Sequence, residues 1–216
     1  PGPMAKPRSP KGRARETLAR LDLEYPDARC ELDHRNAYEL LAATILSAQC
    51  TDVRVNMVTP GLFARFPTPE DLAVADPLEV EELVRSTGFY KNKARSLIGM
   101  AQALTERFGG EVPSAMEDLV TVPGVGRKTA NVVRSVAMDL PGLPVDTHVG
   151  RLSVRLGLTA ETDPVKVEYV LNDMIPPADR GRFSLLLILH GRRVCAARRA
   201  RCSDCVLVDF CPSAEA

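Results

Sequence analysis

Apolar residues recur along the chain at spacings of three and four, the period of a helix that buries one face. The segment 90–108 is the clearest case, with Ala94, Leu97, Ile98, Ala101, Leu104 and Phe108 on one side and Gly109-Gly110 at its end. Alternation of apolar and polar residues, typical of a half-buried strand, never lasts six residues. The pattern therefore predicts an all-α fold. The predicted helices cover residues 15–25, 37–47 with Asn36 as N-cap, 52–66 with a possible interruption at Pro60, 69–75, 77–87, 90–108, 114–121, 127–138, 147–156, 164–175 and 179–193.

The amino terminus is expected to contribute little to the fold. Pro1-Gly2-Pro3 before Met4 resembles the remainder of a protease-cleavage site, and the basic segment 4–13 has the composition of a flexible tail. We therefore predict a flexible tail over residues 1–13. No apolar run approaches the roughly 18 residues that cross a bilayer, and no secretory signal is visible, so we expect no membrane association.

Composition excludes wholesale disorder and a purely electrostatic DNA binder. The 216 residues are 45% hydrophobic, and 28 basic residues balance 28 acidic ones. The balance hides a polarised distribution. Residues 67–84 contain six acids and no base, whereas residues 190–202 contain five arginines and no acid.

Four of the six cysteines form a tight group near the carboxyl end. Cys30 and Cys50 are isolated and are expected to be small buried hydrophobes. The other four are spaced C-x6-C-x2-C-x5-C, at Cys195, Cys202, Cys205 and Cys211. Disulfides fit poorly with a chain that shows no secretory signal. Zinc and an iron–sulfur cluster both remain possible, and a single C-x2-C with unequal flanking gaps favours the cluster.

The segment Val122-Pro123-Gly124-Val125-Gly126 joins two predicted helices. Its two glycines permit positive φ and allow a ligand to approach the backbone closely. Together with the positive end of the following helix, the backbone amides could bind a phosphate oxygen and so position DNA. An ordinary tight helix–helix turn is the alternative.

Lys128 is one of six lysines in the chain and is placed in the first turn of the second helix, beside Arg127. The helix end and the arginine both disfavour a charged ammonium, so we expect a nucleophilic amine. The alternative is a lysine that only contacts phosphate. Lys6 and Lys11 lie on the tail, and no helix terminus is expected to depress the pKa of the other three lysines.

Asp146 precedes a predicted helix in Val145-Asp146-Thr147-His148. It could cap that helix, or its carboxylate could accept a proton or stabilise a developing sugar cation. His148 likewise has a structural alternative.

Taken together, these motifs resemble the endonuclease III family of helix-hairpin-helix DNA glycosylases. The matching segments are Leu46 to Asp52, Gly88-Phe89-Tyr90, the hairpin Val122 to Val132, Val145 to His148, Leu189-His190-Gly191-Arg192 and the four terminal cysteines. They occur in family order from about residue 15 to 212. Adenine-mismatch relatives are also similar, but they typically lack a lysine at position 128 and carry a further carboxyl-terminal domain.

The resemblance implies two helical lobes with the active site in the cleft between them. One is a six-helix lobe with the hairpin over residues 30–138, and the other joins residues 14–29 to 139–216 and holds a [4Fe–4S] cluster on Cys195, Cys202, Cys205 and Cys211. It implies a monomer acting in the cytoplasm on chromosomal DNA. Its partner would be double-stranded DNA that contains damaged bases or abasic sites.

It also implies the activity of a DNA glycosylase and AP lyase that flips out oxidised or saturated pyrimidines, excises them, and nicks the strand by β-elimination. Lys128 would be the nucleophile and Asp146 the catalytic carboxylate. Gln49 would fill the gap in the duplex, Phe89 would wedge against the opposite strand, and Ser47 and Asp52 would line the pocket. The implied DNA-contacting set is Gln49, Phe89, Gly124, Gly126, Arg127, Thr129 and His148.

One position varies within that family. Some members carry Glu where this chain has Val120 and others carry Val, so this position bears on lesion preference and not on activity. Two other functions stay open from the residues alone. They are a DNA-binding module without catalysis, and a glycosylase that leaves the strand intact.

Overall fold

The computed structural model describes residues 6–215, so the predicted cleavage remainder at residues 1–3 lies outside the described part. The described residues form an all-α fold, as predicted, with no β-strand and one isolated bridge between Cys195 and Ala200. Its helices are α1 (Pro10–Glu24), α2 (Ala37–Leu46), α3 (Asp52–Arg65), α4 (Pro69–Ala73), α5 (Pro77–Val84), α6 (Tyr90–Phe108), α7 (Met116–Leu119), α8 (Arg127–Ala137), α9 (Thr147–Arg155), α10 (Pro164–Met174) and α11 (Arg180–Arg193). Short 3₁₀ turns occupy Arg85–Thr87, Pro177–Asp179 and Cys202–Asp204. Among residues 6–215, no helix is both long and apolar enough to cross a membrane.

The chain divides into two compact units. We call residues 30–140 the hairpin unit, and residues 6–29 with 141–215 the cysteine unit. The resemblance implied boundaries at 29/30 and 138/139, and the second division falls two residues later. The hairpin unit is described throughout and contains seven helices, α2–α8, where six were expected. The four-residue α7 is only about one turn long.

The hairpin unit is built around α2. Eight of its ten residues are buried, and α3, α6 and α8 pack against it. A helix that is apolar on nearly every side is stable only when other helices surround it. From α6, the side chains of Leu97, Met100 and Leu104 are fully buried against this core.

The cysteine unit is formed by α1, α9, α10 and α11. Its core includes Leu21, Val149, Leu171 and Phe183, one from each helix. Helix α11 contacts both α1 and α9, which explains why its apolar run 183–189 is almost wholly buried.

Helix α1 begins inside the predicted flexible tail, so that prediction is wrong for residues 10–13. Ser9 caps the helix by accepting a hydrogen bond from the Gly12 amide, and Pro10 occupies the first helical position, where its missing N–H costs nothing. Arg13 donates to the carbonyls of Leu156 at 2.8 Å and Gly157 at 2.6 Å. The two acceptors are 143 and 144 residues from Arg13 in the sequence, and these bonds hold the first turn of α1 in place.

Most of the other helices end within one or two residues of their predicted bounds, and three segments call for comment. Helix α3 continues through Pro60. The segment predicted as 77–87 ends as a helix at Val84 and tightens into the 3₁₀ turn, whose Thr87 hydroxyl donates to the Val84 carbonyl at 2.7 Å. The segment predicted as 114–121 is helical only over Met116–Leu119.

Candidate functional site

The hairpin between α7 and α8 is held by its buried valines and by Gly124. Val122 and Val125 are both buried, and the Val125 amide donates to the Val122 carbonyl at 3.0 Å. Gly124 has φ +78°, and a Cβ there would lie 3.0 Å from Ile45 Cδ1 and 3.1 Å from Ser96 Cβ. Both the backbone conformation and the close packing on α2 and α6 therefore require glycine at this position.

Gly126 is a glycine for a different reason. Its φ of −90° is open to any residue, and nothing lies within 4 Å of a Cβ built there. The positive φ that both glycines permit is therefore used at Gly124 and not at Gly126. Because Gly126 is exposed and precedes α8 directly, its missing side chain leaves open the approach to the helix terminus. The amides of Lys128 and Thr129 lie in the first turn and have no acceptor within α8.

Lys128 is the second residue of α8, and it is exposed. Arg127 and Thr129, on either side of it, are half-buried. The first turn of α8 therefore presents two cations and open backbone amides on one surface of the hairpin unit, an arrangement suited to phosphate.

Asp146 caps α9 in the cysteine unit. Its Oδ1 accepts a hydrogen bond from the Val149 amide at 2.8 Å, and the side chain is half-buried. The capping interpretation is therefore confirmed. The cap is compatible with the catalytic interpretation of Asp146, because a carboxylate has a second oxygen and can accept about four hydrogen bonds.

Gln49 and Phe89 share an unusual backbone conformation. They have φ of +50° and +47°, and Asp139 is the one other non-glycine residue of the described chain with positive φ. Asp139 directly follows the last turn of α8, and the Leu140 amide bonds back to the Arg134 carbonyl, a common helix ending. Gln49 is the third residue of a turn closed by the Cys50 amide and the Ser47 carbonyl at 3.1 Å, and Phe89 directly precedes α6. Both are exposed. Strain of this kind is concentrated at functional sites.

The two predicted pocket residues flank the loop that carries Gln49. Ser47 is the C-cap of α2 and donates its hydroxyl to the Thr44 carbonyl at 2.7 Å, and Asp52 is the first residue of α3. The hairpin unit thus holds Lys128, the hairpin, Gln49, Phe89, Ser47 and Asp52. Asp146, His148 and the four terminal cysteines belong to the cysteine unit.

His148 lies in the first turn of α9 and packs against α11. A Cβ on Gly191 of α11 would lie 3.0 Å from both the Cβ and the Nδ1 of His148. Arg151 donates to His148 Nδ1 at 3.0 Å and to the Cys195 carbonyl at 2.9 Å. These contacts favour the structural interpretation of His148, and its predicted contact with DNA stays a prediction.

The four terminal cysteines line a cavity of about 350 Å³ and form no disulfide. Burial raises the pKa of the Cys205 and Cys211 thiols, and the neighbouring cysteines add to the effect. Among the described residues, no three Cys, His, Asp or Glu side chains converge closely enough to hold a single metal ion. Four thiols that line one cavity are a ligand set that an iron–sulfur cluster takes.

Polar groups from distant helices support this set of thiols. Arg155 of α9 donates to Cys195 Sγ at 3.2 Å and to the Ala196 carbonyl at 2.8 Å. His190 Nε2 lies 3.2 Å from Cys205 Sγ, and its Nδ1 lies 2.9 Å from the Tyr25 hydroxyl. Burial lowers the pKa of His190 to about 4, so the ring is neutral at pH 7. When the neutral ring donates its Nε2–H to a thiolate, its Nδ1 accepts a hydrogen bond from the Tyr25 hydroxyl.

Sequence reasoning missed Lys93, for which it expected no helix terminus that would depress the pKa. Lys93 lies in the first turn of α6 and is only 5% exposed, and burial lowers the pKa of its ammonium. A signal was present, because Lys93 precedes the buried Leu97 and Met100 by four and seven residues, on the apolar face of α6. Burial distinguishes it from Lys128, which is exposed and can meet a substrate.

Comparison with known proteins agrees with this geometry. The model of the HhH-GPD superfamily of base excision DNA repair proteins matches residues 42–177. Endonuclease III of Synechocystis sp. is 53% identical over 214 residues, which cover 99% of this chain and 98% of the relative. Endonuclease III of Bacillus subtilis is 45% identical over 188 residues, which cover 87% of this chain and 86% of the relative.

Solved structures give the same result. A trapped endonuclease III–DNA covalent intermediate has a TM-score of 0.88 and 43% identity, covering 94% of this chain and 96% of that chain. A thermostable thymine-DNA glycosylase, 20% identical with a TM-score of 0.85, shares the fold and covers 93% of this chain and 96% of that one. The family model and the high identity over nearly the whole chain show that it belongs to the endonuclease III family, within the HhH-GPD superfamily of base excision DNA repair proteins.

Proposed function

We propose that this base excision repair enzyme removes oxidised or saturated pyrimidines and cleaves the abasic strand, with Lys128 as nucleophile and Asp146 as catalytic carboxylate. The observation that carries the proposal is the exposed Lys128 in the uncapped first turn of α8, behind a hairpin open at Gly126. A lysine placed only to contact phosphate needs charge and reach. A nucleophile needs access to a carbon as well, and the bare glycine leaves that access open.

The hairpin is proposed to position DNA by its backbone. The amides of Lys128 and Thr129 can donate to phosphate oxygens, and the amino-terminal end of α8 favours negative charge. Such contacts carry no base sequence information. Selection of the damaged nucleotide then depends on the cost of unstacking it, which is lowest for bases that stack poorly.

Gln49 and Phe89 are proposed to occupy the space that the extruded nucleotide leaves. Both side chains are exposed on short segments with left-handed backbone, and Phe89 is 63% exposed although it is a large apolar residue. An exposed aromatic ring gains apolar contact when it enters a base stack, which offsets part of the unstacking cost.

The chemistry requires charge stabilisation and then a covalent step. As the bond between C1′ and the base breaks, its electron pair leaves with the base and positive charge develops on the sugar, where the Asp146 carboxylate stabilises it. The Lys128 amine forms a bond to C1′, and opening of the sugar ring gives a Schiff base. Loss of a C2′ proton then expels the 3′ phosphate and cuts the strand.

The terminal cysteines are proposed to hold a [4Fe–4S] cluster that organises the loop around them. Cys195, Cys202, Cys205 and Cys211 supply four thiolates. The cluster, when bound, supplies a rigid covalent anchor for this segment. Arg198, Arg199 and Arg201 lie between the ligands, are exposed, and could contact the phosphate backbone.

Borohydride trapping tests the proposed nucleophile. With a lesion-containing duplex, reduction of the imine should join the wild-type protein covalently to DNA, and the crosslink should map to Lys128. Lys128→Arg keeps the charge but has no nucleophilic amine at neutral pH, so it should bind DNA without trapping or nicking. Lys91→Arg is the matched control, because Lys91 is exposed and is also the second residue of its helix, α6.

Two results would contradict the assignment. A Lys128→Arg protein that still removes bases would make Lys128 an electrostatic residue and would indicate a glycosylase that uses water. A crosslink that maps to Lys91 or Lys93 would place the nucleophile on α6.

A further inference from the structure

All six lysines lie in the described part of the chain, and Lys93 is the one that is buried. Its Nζ donates to the carbonyls of Leu46 and Thr87, each at 2.8 Å. The other five lysines are exposed. Burial of an ammonium is costly unless acceptors replace its water, so these two bonds are central to the local structure.

The two carbonyls that accept from Lys93 each lie at the end of a helical segment, one just before Gln49 and the other just before Phe89. Leu46 is the last residue of α2, three residues before Gln49, and its carbonyl lies at the negative end of that helix. Thr87 ends the 3₁₀ turn two residues before Phe89. The backbone amide of Lys93 also donates to the Phe89 carbonyl at 3.0 Å. One residue therefore ties both segments together.

Gln49 and Phe89 need such a constraint because both have a left-handed backbone without being glycine. A non-glycine residue keeps this conformation only when its surroundings over-determine it. The chain supplies flexibility next to Phe89, since Gly88 also has positive φ and an open environment. Lys93 supplies the opposing restraint at both segments.

We propose that Lys93 is a positioning residue, whose ammonium holds the Leu46 and Thr87 carbonyls so that Gln49 and Phe89 are presented in the conformation that enters DNA. The inference rests on the proposed function, in which those two side chains fill the duplex. A merely structural lysine would instead stabilise the hairpin unit and affect every activity of the protein alike.

A double-mutant cycle separates these roles. Lys93→Met keeps most of the side-chain length and removes the charge and the donors. It should lower the single-turnover rate of base excision from a lesion duplex by about tenfold, as is common for residues coupled through a shared backbone segment. In a protein that already carries Gln49→Ala and Phe89→Ala, the same substitution should lower the rate by less than about twofold, because little remains to be positioned.

Tyr38→Phe is the matched control. Its hydroxyl donates to the Phe66 carbonyl at 2.9 Å, so the variant also loses a buried hydrogen bond of the hairpin unit, at a site distinct from the two segments. Thermal unfolding of all variants sets an assay temperature well below every midpoint. At that temperature Tyr38→Phe should excise at the wild-type rate in both backgrounds. A 2-aminopurine opposite the lesion should brighten less with Lys93→Met than with Tyr38→Phe, because its fluorescence reports unstacking.

The outcomes are distinguishable. Equal loss from Lys93→Met in both backgrounds, or no loss in either, overturns the positioning role. Full activity of the Gln49→Ala and Phe89→Ala protein contradicts the proposed function of those side chains instead. Should Lys93→Met not fold, Lys93→Arg takes its place. Its planar guanidinium keeps the charge but alters the two bonds, so the loss should again be confined to the background that retains Gln49 and Phe89.

Discussion

Replacement of Asp146 by Asn separates the two roles of this carboxylate. In the structure Asp146 Oδ1 accepts a hydrogen bond from the Val149 amide at 2.8 Å, and Asp146 is the N-cap of α9. Asn presents an amide oxygen of the same reach, so the cap is kept. The negative charge is lost. The variant therefore removes the group that would stabilise a sugar cation and leaves the helix start in place.

The two effects differ greatly in size. Asn and Asp are about equally good N-caps, so the free energy of unfolding should change by less than about 0.5 kcal/mol, whereas Asp146→Ala should cost about 1 kcal/mol. A unit charge about 4 Å from a developing cation contributes about 4 kcal/mol at an effective dielectric constant of about 20. Loss of one such preorganised group typically slows a reaction by about 10²–10³-fold. We expect a decrease of that order in the excision rate of Asp146→Asn.

Single-turnover kinetics with enzyme in excess give the excision rate directly, with base release measured apart from strand cleavage. Asp163→Asn is the matched control, because Asp163 caps α10 by accepting the amides of Val165 at 3.0 Å and Lys166 at 3.1 Å. Both variants should unfold at nearly the same urea concentration as the wild-type protein. Both should also bind an abasic-analogue duplex normally.

The reasoning is refuted if Asp146→Asn turns over like the wild-type protein, since Asp146 would then be a helix cap alone. A loss of activity equal to that of Asp163→Asn would lead to the same conclusion. A large loss of stability in Asp146→Asn would show that the cap geometry is not kept by Asn.

Two further predictions concern the terminal cysteines and the hairpin. Protein purified after expression with sufficient iron should be yellow-brown and contain iron and acid-labile sulfide. Replacement of Cys202 by Ser should reduce the content of both. Stoichiometric zinc without iron would contradict the cluster. Gly124→Ala should lower the free energy of unfolding by about 1–3 kcal/mol, because it combines positive φ with a Cβ 3.0 Å from Ile45 Cδ1. Gly126→Ala should leave urea unfolding within about 0.5 kcal/mol of wild type and weaken DNA binding, and an equal loss of stability at both glycines would contradict the distinction drawn between them.

The helices could be predicted from the sequence because their signals are local. The three- and four-residue spacing in 90–108 predicted α6 to the residue, and Asn36 predicted the start of α2. The spacing of the four terminal cysteines likewise indicated a shared site, since their order along the chain already limits which groups they can hold. The positions of Lys128 and Asp146 at helix starts were also predicted, because short motifs reveal where a helix begins.

Tertiary contacts decided what those local signals left open. The hairpin glycines look equivalent in the sequence, but Gly124 has positive φ and packs against Ile45 and Ser96, whereas Gly126 does neither. Residues 10–13 have the composition of a tail, yet Arg13 is held by carbonyls more than 140 residues away. Lys93 is buried because Leu46, 47 residues earlier, offers its carbonyl. Periodicity and capping depend on neighbours within a few residues, whereas the burial of a charge and the need for a glycine depend on which distant groups the fold brings alongside.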